Sequence, residues 1–343
     1  MPGMIQPLIW SINVPLINSV WLALLEELVG NLSIQPDDLA KDFYYRSYFN
    51  MGAFGQVFNK VGLPSEGLEM MMGVLPDRSS KPSFKPSLKM LRLVPRMVSF
   101  LWDKWHFEHK ILQLLPVFER NIKQYTVQPT QELVVDDLVD IVEKLYQDLS
   151  PIIYLNVVSP LLVTMYNRIL EGQLKKAGVD WEQYDLYRGL EVLDDYNPNQ
   201  ALDQLSDDYQ RFLEEATSDE ISWEDIRGTA LEDELQDFMA RFGHFSDNSN
   251  NFTSVPWRED PDLVLSMVRD HAQGSIQNRK IESKLGFEDL PVKGLRRLMM
   301  RLFYQRVRKF TVYRDQVSFQ YIYGYGLFRP YVLRIADWLV NQG

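Results

Sequence analysis

Apolar residues recur at helical spacing along almost the whole of this chain, and no run alternates apolar and polar residues between hairpin turns. In 133–149, Val134, Leu138, Ile141, Leu145 and Leu149 fall on one stripe while Asp136, Asp137, Asp140 and Glu143 cover other faces. That is the 3.6-residue period of an amphipathic helix. Ser159-Pro160 reads as the N-cap and first residue of a further helix, with Gly178 just past its end. Met299, Phe303, Val307 and Phe310 repeat the pattern, and "NPNQALDQLSDDYQRFLEEA" begins with turn residues and becomes helical. The expected fold is all-α, a multi-helix, bundle-like domain. Its clear interruption is 74–95, where four prolines and four serines break any helix. Residues 1–343 are read as a single helical domain, divisible into sub-units 1–73, 96–130 and 131–343.

With 343 residues, 45% hydrophobic and 24% charged, the chain can bury a large core. Zero cysteines remove disulfides, Cys-ligated zinc, iron–sulfur clusters and thiol catalysis, which suits a reducing cytoplasm. The opening "MPGMIQPLIW" places no basic residue ahead of its apolar ones, so no signal peptide is expected. The apolar run 12–29 holds two Asn, a Pro and two Glu. Each is costly in hydrocarbon, which favours a buried helix over a membrane span, and no membrane partner is expected. Net charge is −11, which argues against nucleic acid as a partner. Residues 203–237 hold thirteen acids and two bases, whereas 293–314 holds eight bases (from Lys293 to Arg314) and no acid. These read as solvated helical faces; the alternative is an anion or partner site on the basic one.

"FGHFSDNSNNFTSVPWREDP", 242–261, is the most unusual stretch. Asp247, Ser249 and Asn251 stand at the first, third and fifth positions of an EF-hand loop. Phe252 then occupies the sixth, where Gly is needed, and Arg258 the twelfth, where Glu chelates, so no calcium loop forms. His244 has no clustered ligands for zinc, and His106 and His109, three apart, lack a third. His244, Asp247 and Ser246 form no nucleophile elbow, and "GYGLF" at 324–328 is no nucleotide loop. No catalytic residue, metal or cofactor site is assigned to the chain alone. What the loop offers is turn chemistry, an apolar anchor in Trp257 and a fork-shaped donor in Arg258.

Three segments in order, "PGMIQPLIWS", "FMARFGH … VPWREDPDLVL" and "RVRKFTVYRDQ …", resemble the helical middle region of phosphoenolpyruvate-utilising phosphotransferases. That family includes phosphoenolpyruvate synthase, pyruvate phosphate dikinase and rifampicin phosphotransferase. Its patterns there are P-G-x-x-x-P-L-T-W-S, F-L-x-x-Y-G-H-R … P-R-W-x-E-x-P and R-x-x-x-x-x-R-E. Phe245 stands where the family has Arg after Gly-His, and Arg314-Asp315 replaces Arg-Glu.

The resemblance implies a helical acceptor-binding and linker domain. It would act with ATP-grasp and phosphohistidine domains that this sequence does not contain, with ATP and Mg²⁺ required by the complete enzyme and not held here. Arg258 and Arg314 are then the expected anion-facing donors, with His244 and Asp247 orienting the loop. Trp10, the aromatic run containing Tyr48, Asn50 and Met51, and Met70-Met71-Met72 are candidate walls of an acceptor pocket. The alternative is a non-catalytic helical binding or scaffold protein derived from the same family.

Overall fold

In the computed structural model, residues 6–60, 91–126, 133–180, 183–185, 187–215, 221–278 and 285–342 are described. They are predominantly helical, as the periodicity requires: α1 (Pro7–Val29), α2 (Met51–Lys60), α3 (Val94–Trp105), α4 (Phe107–Thr126), α5 (Val135–Lys176), α6 (Pro198–Glu215), α7 (Ala230–Phe242), α8 (Pro261–Asn278), α9 (Gly294–Gly326) and α10 (Phe328–Gln342). Of the Pro/Ser-rich interruption only 91–95 is described; Met70-Met71-Met72 lies outside the described residues.

Two local expectations are corrected. The first is the absence of strands: Ala40–Phe43 (β1) and Arg46–Phe49 (β2) pair antiparallel, Ala40 opposite Phe49 and Phe43 opposite Arg46. The turn between them puts Tyr44 and Tyr45 at φ 51° and 60°. Two-residue hairpin turns of this left-handed kind normally advertise themselves as Asn-Gly or Asp-Gly, and two tyrosines carry no such signal. The second is the break at Ser159-Pro160. Helix α5 runs straight through it, with Pro151 and Pro160 both internal. A proline inside a helix costs about 3 kcal/mol. Burial of Leu145, Leu149, Ile152, Leu155, Val158 and Leu162 along one helix outweighs that. The helix does end as read: Gly178 adopts φ 72° and Val179 N–H reaches back to the Leu174 carbonyl at 3.1 Å, a left-handed C-terminal closure.

The chain divides into two compact units. Unit 1 comprises Met1–Gln124, Glu143–Gly172 and Met300–Val317; unit 2 comprises Tyr125–Val142, Gln173–Met299 and Ser318–Gly343. In unit 1, Leu25 and Val29 of α1 pack with Leu39, Phe54, Val57 and Phe58. Helix α1 stops at Gly30, φ 89°, where an added Cβ would collide with the Arg96 guanidinium. In unit 2, α6, α7 and α8 bury Leu202, Leu205, Tyr209, Leu235, Phe238, Val264 and Val268 around Trp257. Thr229 caps α7 by accepting from Glu232 N–H, and Glu232 accepts in return from Gly228 N–H. Among the described residues, α1 and α5 are long and apolar enough to cross a membrane, with 39% and 50% of their most apolar windows buried. Core helices meet the same description.

Candidate functional site

The 242–261 loop lies in unit 2 and closes on itself. Trp257 N–H donates to the Phe245 carbonyl at 2.8 Å and Arg258 N–H to the Gly243 carbonyl at 2.9 Å. Asn251 Oδ1 takes both the Thr253 N–H (3.0 Å) and its hydroxyl (2.7 Å), the turn chemistry its composition promised. Asp260 Oδ1 accepts from Leu263 N–H at 3.0 Å, capping α8. The Trp257 ring stacks between Phe238 at 6.0 Å and Phe245 at 5.6 Å.

His244 is buried, with its ring 4.7 Å from Phe319 and 5.2 Å from Tyr323. Its Nε2 has no hydrogen-bond partner. Burial, reinforced by the nearby Arg258 charge, pushes its pKa down to about 4, so the ring is neutral at pH 7. Because the folded value lies below the unfolded value of about 6.5, the native state loses stability as pH falls from 6.5 towards 4. The loss reaches about 3 kcal/mol. Stability curves of wild type and His244→Gln should therefore converge as pH drops through that window; curves that stay parallel contradict the assignment.

The loop's anchoring cation is Arg329 of α10, which sequence reasoning passed over. Its guanidinium bonds Glu259 at 2.9 Å and the Thr253 carbonyl at 2.7 Å. Arg258 is exposed, without an ion-pair partner among the described residues. Arg329→Ala should cost about 1–2 kcal/mol through the lost hydrogen bonds to the Thr253 carbonyl and Glu259, and Arg258→Ala less than about 0.5 kcal/mol. Chemical denaturation of both variants checks this, and the reverse order would contradict it. His244 and Arg258 line one small polar hollow of about 20 Å³, room for a single water. Asp247, though in the same loop, is exposed and outside the residues drawn around that hollow. Among the described residues no three His, Cys, Asp or Glu cluster as metal ligands.

The remaining sequence candidates belong to unit 1 and are not gathered into one place. Asn50 Oδ1 caps α2 by accepting from Ala53 N–H at 3.2 Å, Met51 packs on the α2 core, and Tyr48 is exposed on β2. Trp10 is half-buried on α1, and Arg314 Nε donates to Asp315 at 2.7 Å.

Unit 1 instead contains a cavity of about 570 Å³, within the size range of small-molecule sites. Its walls are Leu24 of α1, Phe100, Leu101, Lys104 and Trp105 of α3, Val158 to Ile169 of α5, and Phe303 of α9. Tyr166 of this wall is buried, and its hydroxyl has no hydrogen-bond partner; burial pushes its pKa up, keeping it a neutral donor. Lys104 is buried yet fully engaged. Its Nζ donates to Glu27 (2.6 Å), Asp103 (2.8 Å) and the Tyr154 hydroxyl (2.6 Å), under the rings of Phe100, Phe107 and Tyr154. Tyr154 donates to Glu27 at 2.8 Å. Burial first, and then Glu27, drive the Tyr154 pKa far up. Phe100 also lines a polar cleft of about 360 Å³, with Glu27, Arg96, Ser99, Asp103 and Lys110.

Residues 153–315 match the family model of the rifampicin phosphotransferase fourth domain, a domain of the phosphoenolpyruvate-utilising phosphotransferase family and a helical region of it. The match takes in the α5 wall of the cavity, Phe303 and the whole 242–261 loop. Comparison with curated proteins finds no match.

Proposed function

We propose that the chain is the acceptor-binding helical domain of a phosphoenolpyruvate-utilising phosphotransferase system, and that unit 1 holds the acceptor. The observation that carries this reading is the apolar cavity beside a polar cleft, joined at Phe100, in a chain whose family match is to a phosphotransferase domain. An apolar acceptor body fills the cavity. The cleft's Arg96 and Lys110 face the incoming phosphoryl group.

In the reaction, the P–N bond of a phosphohistidine breaks, a P–O bond to an acceptor hydroxyl forms, and the proton lost by that hydroxyl ends on the released imidazole. Most of the rate advantage of such transfers comes from positioning and charge stabilisation, which a rigid helical cavity supplies. ATP, Mg²⁺ and the phosphohistidine belong to cytoplasmic ATP-grasp and phosphohistidine partners rather than to this chain. The 242–261 loop, with His244, Asp247 and Arg258, then serves as a rigid connector in unit 2.

The test is to incubate the chain with radiolabelled ATP, Mg²⁺ and an apolar alcohol, with and without neighbouring-gene ATP-grasp and phosphohistidine proteins. Label in the alcohol only when all three proteins are present is the expected result. Alcohol binding without transfer in any combination would leave the non-catalytic binding protein as the surviving reading.

A further inference from the structure

We propose that unit 1 docks peripherally on an anionic lipid surface through α3 and the adjoining part of α9. On α3, Val94, Val98, Leu101 and Trp102 all point outward, Trp102 69% and Leu101 57% exposed. At about 100° per residue they share a single arc of about 100°. Leu302 of α9 is exposed in the same unit. The two helices meet at Trp105, whose carbonyl accepts from Arg306 at 2.9 Å and whose ring lies 6.4 Å from that of Phe303.

Charge identifies the occupant. The chain is net −11, yet the described residues of unit 1 that make up these helices, 91–105 and 300–317, carry eight bases against two acids, Asp103 and Asp315. Arg92, just ahead of α3, and Arg96 on its polar flank are exposed, and Asp103 shares that flank. An apolar stripe carrying a tryptophan, bordered by bases, is the pattern of a helix that lies in the headgroup region of anionic lipid. The expectation of no membrane partner rested on the cost of spanning a bilayer, and surface docking does not incur that cost.

A second observation points the same way. Leu101 belongs both to the exposed stripe and to the cavity wall. An apolar molecule leaving the bilayer there enters the cavity without crossing water. This last step rests on the acceptor reading above; the docking itself does not.

Sedimentation of the purified chain with vesicles tests the docking. The chain should pellet with phosphatidylcholine–phosphatidylglycerol vesicles and stay in solution with phosphatidylcholine alone, and salt should weaken the association. Val98→Glu/Trp102→Ser should lower the partition coefficient about tenfold or more, and Arg92→Glu about fivefold. All three side chains are exposed, so unchanged circular dichroism and melting will accompany the loss.

Wild type indifferent to both vesicles, equal binding to both, or variants that bind like wild type each overturn the proposal. So does a dimer in sedimentation velocity that Val98→Glu/Trp102→Ser dissolves, because a second copy of the chain would then cover the face. Acceptor transfer in solution with no vesicle binding would sink the docking and leave the acceptor reading standing.

Discussion

Lys104→Ala should destabilise unit 1 by about 2–4 kcal/mol. Lys104 is 3% exposed and gives all three of its ammonium protons to Glu27, Asp103 and Tyr154. Removing one partner of a buried ion pair typically costs about 3–5 kcal/mol because the other charge is left uncompensated. The figure is lower here because Glu27 and Asp103 are 36% and 54% exposed and regain some solvation from water. In thermal denaturation the melting temperature should fall by about 5–10 °C. Lys104→Met with Glu27→Gln, which removes the cation and its closest anion together, should recover much of the loss. A single-site variant that melts like wild type would mean that the quartet is not what joins α1, α3 and α5.

Gly243→Ala should cost about 2–3 kcal/mol although Gly243 has an ordinary helical backbone, φ −63° and ψ −9°. The constraint is proximity: a Cβ there would meet the Met239 carbonyl oxygen and come within 2.8 Å of Arg258 Cβ. Neither contact can yield without moving the backbone pairing of Gly243 with Arg258, and overpacking of this kind costs about 1–3 kcal/mol. The Gly-His pair thus has a packing reason independent of chemistry at His244. Urea denaturation of Gly243→Ala and Gly243→Ser separates the readings: a flexibility requirement would penalise neither, and close approach penalises both.

Helical periodicity made most of the fold legible, because a stripe such as Leu138, Ile141, Leu145 and Leu149 has one physical meaning. It failed where a tertiary gain overrode a local cost. Pro160 looks like a helix start, and only the burial of the residues around it keeps α5 continuous. Tyr44 and Tyr45, which begin the aromatic run read as a pocket wall, instead form a left-handed turn.

The 242–261 loop was legible as an ordered connector from its Asn, Ser and Asp content, while Arg329, seventy residues from Glu259, could be found only once α10 had folded back. The cavity was the least legible feature. Its walls come from α1, α3, α5 and α9, each reading as ordinary core, and no local pattern distinguishes a wall that leaves 570 Å³ empty from one that closes. A faint signal did exist: Lys104, a lone cation inside "FLWDKWHF", requires buried partners wherever that segment packs.

The most direct test of the central claim, that unit 1 and not the 242–261 loop holds the ligand, is a fluorescence titration with 8-anilinonaphthalene-1-sulfonate. It should be run on wild type, on Leu161→Trp/Met165→Trp and on His244→Ala/Arg258→Ala. Wild type should bind one dye molecule saturably, since a cavity of this volume and lining suits an apolar ring system. The paired tryptophans, built from two half-buried wall residues, should weaken that binding about tenfold or more. The His244→Ala/Arg258→Ala variant should bind as wild type does. Dye affinity that survives the filled cavity, or disappears with His244 and Arg258, would contradict the account.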